Sequence, residues 1–389
     1  MRRPFFITLV LCTFLLASGA DSPGLSIVNG TLMRGGKPYR AMGINYFSAF
    51  YRAVLAPTNT SYRDGFAVLA RYNIPFVRFA ACPFWPTDWK LYQTDKARYF
   101  AILDDVIATA SSNHIGVIPS LFWNFPSAAD ICGEPLSAWG DTSSKTHAFM
   151  RTYTTEVMTR YRSNPAVWAW EFGNEFNLGV DLPNAKKSLT DKKAMPRQGV
   201  PARTEADILT SDIMITALSE FGKLARTLDA NRLIMSGNSR PRPSAWNNSA
   251  KGSWTTDTRE EYQKVLIRDN PDPLNGISIH YYEGKDKYFS QDNPASMPEV
   301  LAATMEAAAQ VNKALLVGEF GANKKLGPSE ERALFEKMID AIVNGNIPLS
   351  AVWVFDLPNQ NDEWNITEKN ERAYMLTFIT NANAAIMNR

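Results

Sequence analysis

Histidine and cysteine are scarce in this chain of 389 residues, which carries three of each. His114, His147 and His280 show no paired-ligand spacing, so neither a protein-built metal site nor any other cofactor is expected. Charge of one sign is also lacking: 41 basic residues face 39 acidic ones, and two of the basic ones, Arg2 and Arg3, belong to a removable leader. The neutral remainder gives no electrostatic case for nucleic acid or an anionic membrane as partner. Long apolar runs are missing too. The stretch Phe5 to Ala17 has 13 residues, short of the ~20 that a spanning helix needs. With the Arg pair before it and Ser18-Gly19-Ala20 after it, residues 1–20 read as a secretory signal. The expected location is therefore secreted or periplasmic, with no membrane attachment once the signal is removed. Cys12 leaves with the signal. Cys82 and Cys132 remain, either bonded, as export allows, or as two free buried thiols. A bond would brace the loop carrying Trp123 and Phe125. Asn29, Asn59, Asn247 and Asn365 open N-x-[ST] sequons, which matter in a glycosylating host.

What is present, 45% hydrophobic and 21% charged residues, suits a single globular domain over residues 21–389, expected to be a monomer. Short runs rich in Val, Ile, Phe and Trp recur along it. They are "RAMGINY" (40–46), "PFVRFAA" (75–81), "IGVIPSLF" (115–122), "AVWAWEFG" (166–173), "RLIMSG" (232–237), "GISIHY" (276–281), "ALLVGEF" (314–320) and "PLSAVWVF" (348–355). Helix-like spacing occupies 98–113, where Ile102, Val106 and Ala110 share a face, and also 146–162, 205–228, 298–312, 329–344 and 369–383. Strands alternating with helices imply a parallel sheet, because parallel neighbours need crossover connections. Eight such units without a linker predict an α/β fold of the closed (β/α)8, or TIM barrel, type. A doubly wound open sheet is the alternative, but no glycine-rich phosphate fingerprint follows the first strand. No internal repeat or low-complexity tract appears.

The chain exceeds the ~250 residues of a bare barrel. The surplus falls after strands, at 82–97, 123–145, 176–204, 238–258 and 282–297, giving long loops on the C-terminal face where barrel active sites lie. The stretch 181–203 carries Lys186, Lys187, Lys192, Lys193, Arg197 and Arg203. It reads as a solvated mobile loop, with a lid or a contact to an acidic substrate as the alternative.

The segment "AVWAWEFGNEFN" (166–177) places two carboxylates in an apolar run, which is costly unless they are paired. The two-residue period of a strand puts Glu171 and Glu175 on one side. In a barrel the strand ends converge on one mouth. Arg78 on strand two, Asn174 and Glu175 on strand four, His280 and Tyr282 on strand six, Glu319 on strand seven and Trp353 on strand eight meet there. Asn45 on strand one and Trp123 after strand three join them as candidate substrate contacts. Two facing carboxylates suit glycoside hydrolysis, one as nucleophile and the other as general acid and then base.

The motifs "VRF" on strand two, "FGNE" after strand four, "HYY" on strand six and "GEFG" after strand seven resemble those of glycoside hydrolase clan A. Among its members, glycoside hydrolase family 5, the cellulase and β-mannanase group, is the most similar. The opening "VNGTLMRGGKPYRAMGINYF" resembles the start of family β-mannanases, so the resemblance covers essentially the whole mature chain. It implies Glu175 as acid/base and Glu319 as nucleophile, with retention at the anomeric carbon. Arg78 beside Glu319 favours its ionised form, and a neighbouring negative charge in a partly dry cleft keeps Glu175 protonated. Asn174 is expected to donate to the sugar 2-hydroxyl, Tyr282 to orient Glu319, His280 to bond near the reacting sugar, and Trp353 to stack under the ring. Glu171 is expected to support the site, paired with Arg78 or another base.

Two departures from the family pattern stand out: Phe176 replaces the common proline after the acid/base, and strand three ends "FWN" instead of in histidine. Trp85, Trp89, Trp123, Phe125, Trp139, Trp246 and Trp254 lie in loops after strands, either to stack on pyranose rings or to pack those loops. The expected activity is hydrolysis of a β-linked polysaccharide, β-1,4-mannan or β-1,4-glucan. An exo-acting β-glycosidase on oligosaccharides, or a non-catalytic carbohydrate-binding barrel, is the alternative.

Overall fold

Each of the eight apolar runs forms a strand in a computed structural model that describes residues 23–191 and 194–388. The proposed signal at 1–20, with Cys12, and the lysines Lys192 and Lys193 lie outside the described residues. The strands are β1 (Ala41–Asn45), β2 (Phe76–Ala80), β3 (Gly116–Phe122), β4 (Ala169–Gly173), β5 (Leu233–Met235), β6 (Gly276–Tyr282), β7 (Ala314–Gly321) and β8 (Leu349–Val352). Apart from Tyr282 every residue in them is buried, which explains runs that read as continuously apolar: parallel sheets are covered on both faces. Pairing is parallel, running from β1 through β2, β3 and β4 to β5 on one side and through β8 and β7 to β6 on the other. Between β5 and β6 the gap is bridged by Asn275, whose N–H donates to the Ile234 carbonyl (3.2 Å) and whose Oδ1 accepts from the Ile234 N–H (2.8 Å).

One long helix follows each strand: α1 (Tyr62–Arg71), α2 (Lys96–Ser112), α3 (Lys145–Tyr161), α4 (Ser211–Leu228), α5 (Arg259–Arg268), α6 (Met297–Gln310), α7 (Pro328–Asn344) and α8 (Tyr374–Met387). Two of these, α1 and α5, were not anticipated. In α1 a glycine interrupts the pattern because a Cβ at Gly65 would lie 2.0 Å from the Tyr46 hydroxyl. Helix α5 opens on a capping box in which Thr258 and Glu261 satisfy each other's backbone N–H, a signal present in the sequence.

Alternate residues along the strands share the barrel interior, so Phe76 is followed inward by Arg78, Ile118 by Ser120, and Ala169 by Glu171. The lower positions join Leu233, Leu316 and Leu349 in one apolar cluster with Trp168. An antiparallel N-terminal sheet (Leu25–Val28, Thr31–Arg34, Lys37–Pro38) plugs this end. Leu25 and Leu32 enter the cluster, and the Leu25 N–H donates to the Trp168 carbonyl at 2.7 Å. Polar residues fill the opposite end, where the strands finish.

Cys82 and Cys132 are free thiols. Cys82 is buried, its Sγ accepting from the Trp123 N–H at 3.3 Å, and burial pushes the thiol up to about 12. Asn247 and Asn365 are buried and hydrogen-bonded through their amides, so they are closed to glycosylation in the folded chain, while Asn29 and Asn59 are exposed. The basic stretch 181–203 is not uniformly solvated: Arg203 is buried in a two-pronged pair with Asp130 (2.5 and 2.8 Å), and Lys186 pairs with Glu205 at 2.9 Å. No helix among the described residues is long and apolar enough to cross a membrane.

Candidate active site

At the polar mouth of the barrel the fully buried Arg78 spends its guanidinium on four neighbours. Its Nε donates to both oxygens of Glu171 (2.8 and 3.0 Å), Nη1 to Glu319 Oε1 (2.8 Å) and Asn45 Oδ1 (3.1 Å), and Nη2 to Asn174 Oδ1 (2.8 Å). Its plane lies 4.1 Å from the ring centre of Trp123. Asn45 is fixed from the other end, where Nδ2 donates to the Gly318 carbonyl at 2.9 Å. Glu171, completely buried, has Arg78 as its counter-ion, so one guanidinium is shared between two buried carboxylates.

Glu319 reaches this network through an irregularity. The register of β7 against β6 shifts between Val317 and Glu319, and beyond the shift Glu319 pairs with His280. Such a bulge re-aims the side chain that follows it. Both carboxylate oxygens then have donors: Oε1 receives Arg78, and Oε2 receives the Tyr282 hydroxyl at 2.8 Å.

Glu175 does not continue the strand. Strand β4 ends at Gly173, and Glu175 takes a left-handed backbone (φ +53°), uncommon outside glycine. The expectation that Glu171 and Glu175 share one side of a strand is thus corrected: Glu171 points into the barrel and Glu175 stands at its mouth. The turn is held by the loop after β5. The Glu175 N–H donates to the Gly237 carbonyl (2.9 Å), and Asn177 and Ser239 exchange two bonds (2.8 and 3.0 Å). Gly237 is required, since φ is +75° and a Cβ would meet the Gly173 carbonyl at 1.8 Å.

His280 Nδ1 sits 2.9 Å from Glu175 Oε1 and 3.6 Å from Glu319 Oε2. One atom from each of Glu175, His280 and Glu319 falls within 4.8 Å of the others. Burial pushes the Glu319 carboxyl above its ordinary value, more than His280 and Arg78 pull it down, and the Glu175 charge adds to the rise. Burial also raises Glu175, but the hydrogen bond and charge of His280, with Arg78 and Ser239, outweigh it and leave that carboxyl below its ordinary value. This reverses the expected order, because Glu319 is the more deeply buried of the two while His280 lies closer to Glu175.

A cleft of ≈630 Å³ opens over Asn174, Glu175, Tyr282 and Glu319, walled by Trp123, Trp353, Phe47, Phe84 and Trp85. Trp353 is anchored by donating Nε1–H to Gln360 (2.9 Å), and its ring tilts 30° from that of Trp123. All nine candidate residues therefore meet at one mouth, seven of them within direct hydrogen-bond or ring contact of Arg78, Glu175 or Glu319. The loop aromatics divide. Trp85 and Trp123 line the cleft, and Trp254 is exposed, whereas Trp89 and Trp139 are buried core residues. Phe125 stacks on Phe176 with ring centres 3.8 Å apart, giving the unusual residue after Glu175 a packing role. Asn124, at the end of strand three, bonds the Phe84 carbonyl and Ser127. Asn177, Gly237, Ser239 and Gln360 were not anticipated. Their contributions depend on contacts between loops, and only the positive φ of Gly237 has a sequence correlate, a glycine directly after a strand.

The sequence model of the family Cellulase (glycosyl hydrolase family 5) matches residues 36–356. Among curated proteins none matches the chain. Solved structures share the fold at low identity. An endo-1,4-β-mannanase from Rhizomucor miehei is 16% identical, with TM-score 0.65 over 94% of this chain and 100% of that one. A mutant family 5 mannosidase from the same organism, in complex with mannosyl-fructose, is 13% identical, with TM-score 0.64 over 95% and 98%. A hyperthermophilic endocellulase from Pyrococcus horikoshii is 15% identical, with TM-score 0.61 over 93% and 99%.

Proposed function

The chain belongs to glycosyl hydrolase family 5, a family of retaining glycoside hydrolases, and from that premise we propose that it is a secreted, monomeric enzyme cutting β-1,4-mannan or β-1,4-glucan. The observation that carries the mechanistic reading is the spacing of the carboxylates. Atoms of Glu175 and Glu319 within 4.8 Å of each other fit the ~5–5.5 Å of retaining enzymes, not the ~6.5–9.5 Å that leaves room for a water in inverting ones.

In the first step Glu319 attacks the anomeric carbon while Glu175 gives its proton to the departing oxygen. In the second, Glu175 takes a proton from water, the water attacks the same carbon, and Glu319 leaves, so the β configuration is restored. The donors on both Glu319 oxygens hold it for attack, and their strength limits its basicity. Asn174, fixed through its Oδ1 by Arg78, has its amide N–H left to meet the sugar 2-hydroxyl. Trp353 and Trp123 supply ring faces for the sugar. Glu175, its side chain 31% exposed, loses solvent when sugar covers it, which raises its carboxyl and loads the proton needed for the first step. Two carboxylates and water complete the cycle without a cofactor.

Internal cleavage is supported by the cleft continuing past Glu175 into a further hollow of ≈290 Å³. The test is to incubate purified mature protein with mannan, glucomannan, cellulose, mixed-linkage glucan and xylan while following the anomeric protons of the first product. Release of β product from mannan or a β-glucan is expected. An α first product, or turnover of xylan alone, overturns the reading.

A further inference from the structure

The hollow beyond Glu175 is lined by Glu175 and His280 but not by Glu319, so on the proposed mechanism it lies on the side where the leaving group departs. It shares Arg242, Lys285 and Asp286 with an outer basin of ≈370 Å³ that also holds Trp254 and Lys287. Trp254 is 53% exposed, an apolar face left in water at the end of a cleft. The exposed cations of the basin, Lys285 and Lys287, outnumber its own acid, Asp286, while Arg242 also feels the charges of Asp181, Asp269 and Asp257. Arg242 donates to the carbonyls of Leu178 and Val180 and to the Asn248 side chain, all neutral acceptors. Lys287 donates to the Gln291 carbonyl at 2.8 Å. Among the described residues none of Arg242, Lys285 and Lys287 has a carboxylate within the 4.0 Å of an ion pair, and Asp286, the acid in the basin wall, lies 3.8 Å from Arg240. By contrast, the aromatic cleft on the other side carries no charge beyond Glu175 and Glu319.

An indole face with cations around it suits a glycan end that bears a negative charge: a neighbouring ring stacks, and the anion meets Arg242, Lys285 and Lys287. We propose that the outer basin is a leaving-side subsite for a sugar carrying a carboxylate, so that the enzyme prefers glycans acidic on the departing fragment. This rests on the glycosidase reading, which fixes which side departs. It differs from the earlier expectation for the basic stretch 181–203, whose Arg203 is spent on Asp130.

The probe is a matched pair of β-1,4-linked hexaoses, in whichever of the manno or gluco series the protein turns over. One member has its reducing end oxidised to the aldonate and the other has it reduced to the neutral alditol. At low salt the aldonate is expected to show a kcat/KM about fivefold higher, the worth of one solvent-facing ion pair. That advantage should vanish near ~1 M NaCl, where the screening length is ~3 Å. Lys285→Gln and Lys287→Gln, both at exposed positions where folding is spared, should each shrink the aldonate-to-alditol ratio. Equal kcat/KM for the two hexaoses at low salt, or a ratio unmoved by both substitutions, overturns the proposal. Turnover of neither hexaose overturns the glycosidase reading instead. Calorimetric titration with the same pair then still decides the basin, since equal affinities refute it and tighter aldonate binding supports it.

Discussion

Replacing Arg78 with methionine should damage stability and activity by separable amounts. Glu171 is completely buried, and both its oxygens take their hydrogen bonds from Arg78 Nε (2.8 and 3.0 Å). Without the guanidinium it becomes a buried charge with no counter-ion, while Glu319 keeps the Tyr282 hydroxyl at 2.8 Å. Stranding one partner of a buried pair costs about 3–5 kcal/mol. At an unfolding entropy of ~2.1 cal/mol/K per residue, a chain of this length should lose about 4–6 °C in Tm. Replacing both partners, Arg78→Met with Glu171→Met, should recover most of the stability, because an apolar pair of similar volume has no charge to desolvate. Both variants should lose about 100-fold or more in kcat, since Glu319 and Asn174 each lose a donor. Calorimetric scans and rates on one substrate make the comparison. An unchanged Tm in Arg78→Met, or a double variant no more stable than the single one, would refute the reasoning.

Glu175→Ala should slow substrates with poor leaving groups far more than an activated aryl glycoside, and azide should restore turnover with a β-azide product; an α-azide contradicts the assignment. Gly237→Ala places a Cβ 1.8 Å from the Gly173 carbonyl, so the loop that holds the Glu175 N–H must move. A displacement near 1 Å should cost about 100-fold in kcat on unactivated substrates, with kcat/KM for the activated aryl glycoside less affected; equal losses on both would point to misfolding. Glu175 lies below its ordinary value, despite burial, because His280 compensates it, and bound sugar should raise it. The alkaline limb of kcat, which reports the complex, should therefore sit at higher pH than that of kcat/KM, which reports the free enzyme. Coincident limbs argue against proton loading on binding.

Most of the architecture was legible because a parallel barrel buries both faces of its strands, so runs such as "ALLVGEFG" stand out as blocks whose order is the fold. Helix α1 escaped because Gly65 serves the packing of Tyr46, a tertiary demand that weakens the local helical pattern. Helix α5 carried a readable start at Thr258 and Glu261 but a strongly charged body, "REEYQKVLIR", with little apolar stripe. That the candidate residues meet at one mouth was legible from strand ends, since the barrel brings such positions together whatever their separation in sequence. The left-handed turn at Glu175 was not, nor its bracing by Asn177, Gly237 and Ser239, because they depend on how two long loops meet. The charge order of the two carboxylates was misjudged for a related reason. Arg78 is shared between Glu171 and Glu319, whereas His280 lies closer to Glu175 than to Glu319.

The role of Glu319 is tested most directly by trapping the intermediate. An activated 2-deoxy-2-fluoro-β-glycoside of the accepted sugar slows both steps but is still cleaved, and its good leaving group lets the glycosyl-enzyme accumulate. Mass spectrometry of the intact protein should show the mass of one fluorosugar added per chain, and peptide mapping should find it on the "ALLVGEFG" segment at Glu319. The label should be absent in Glu319→Ala and should persist longer in Glu175→Ala, where no base activates water. A label on Glu175, or inactivation without any covalent adduct, would contradict the two-glutamate mechanism.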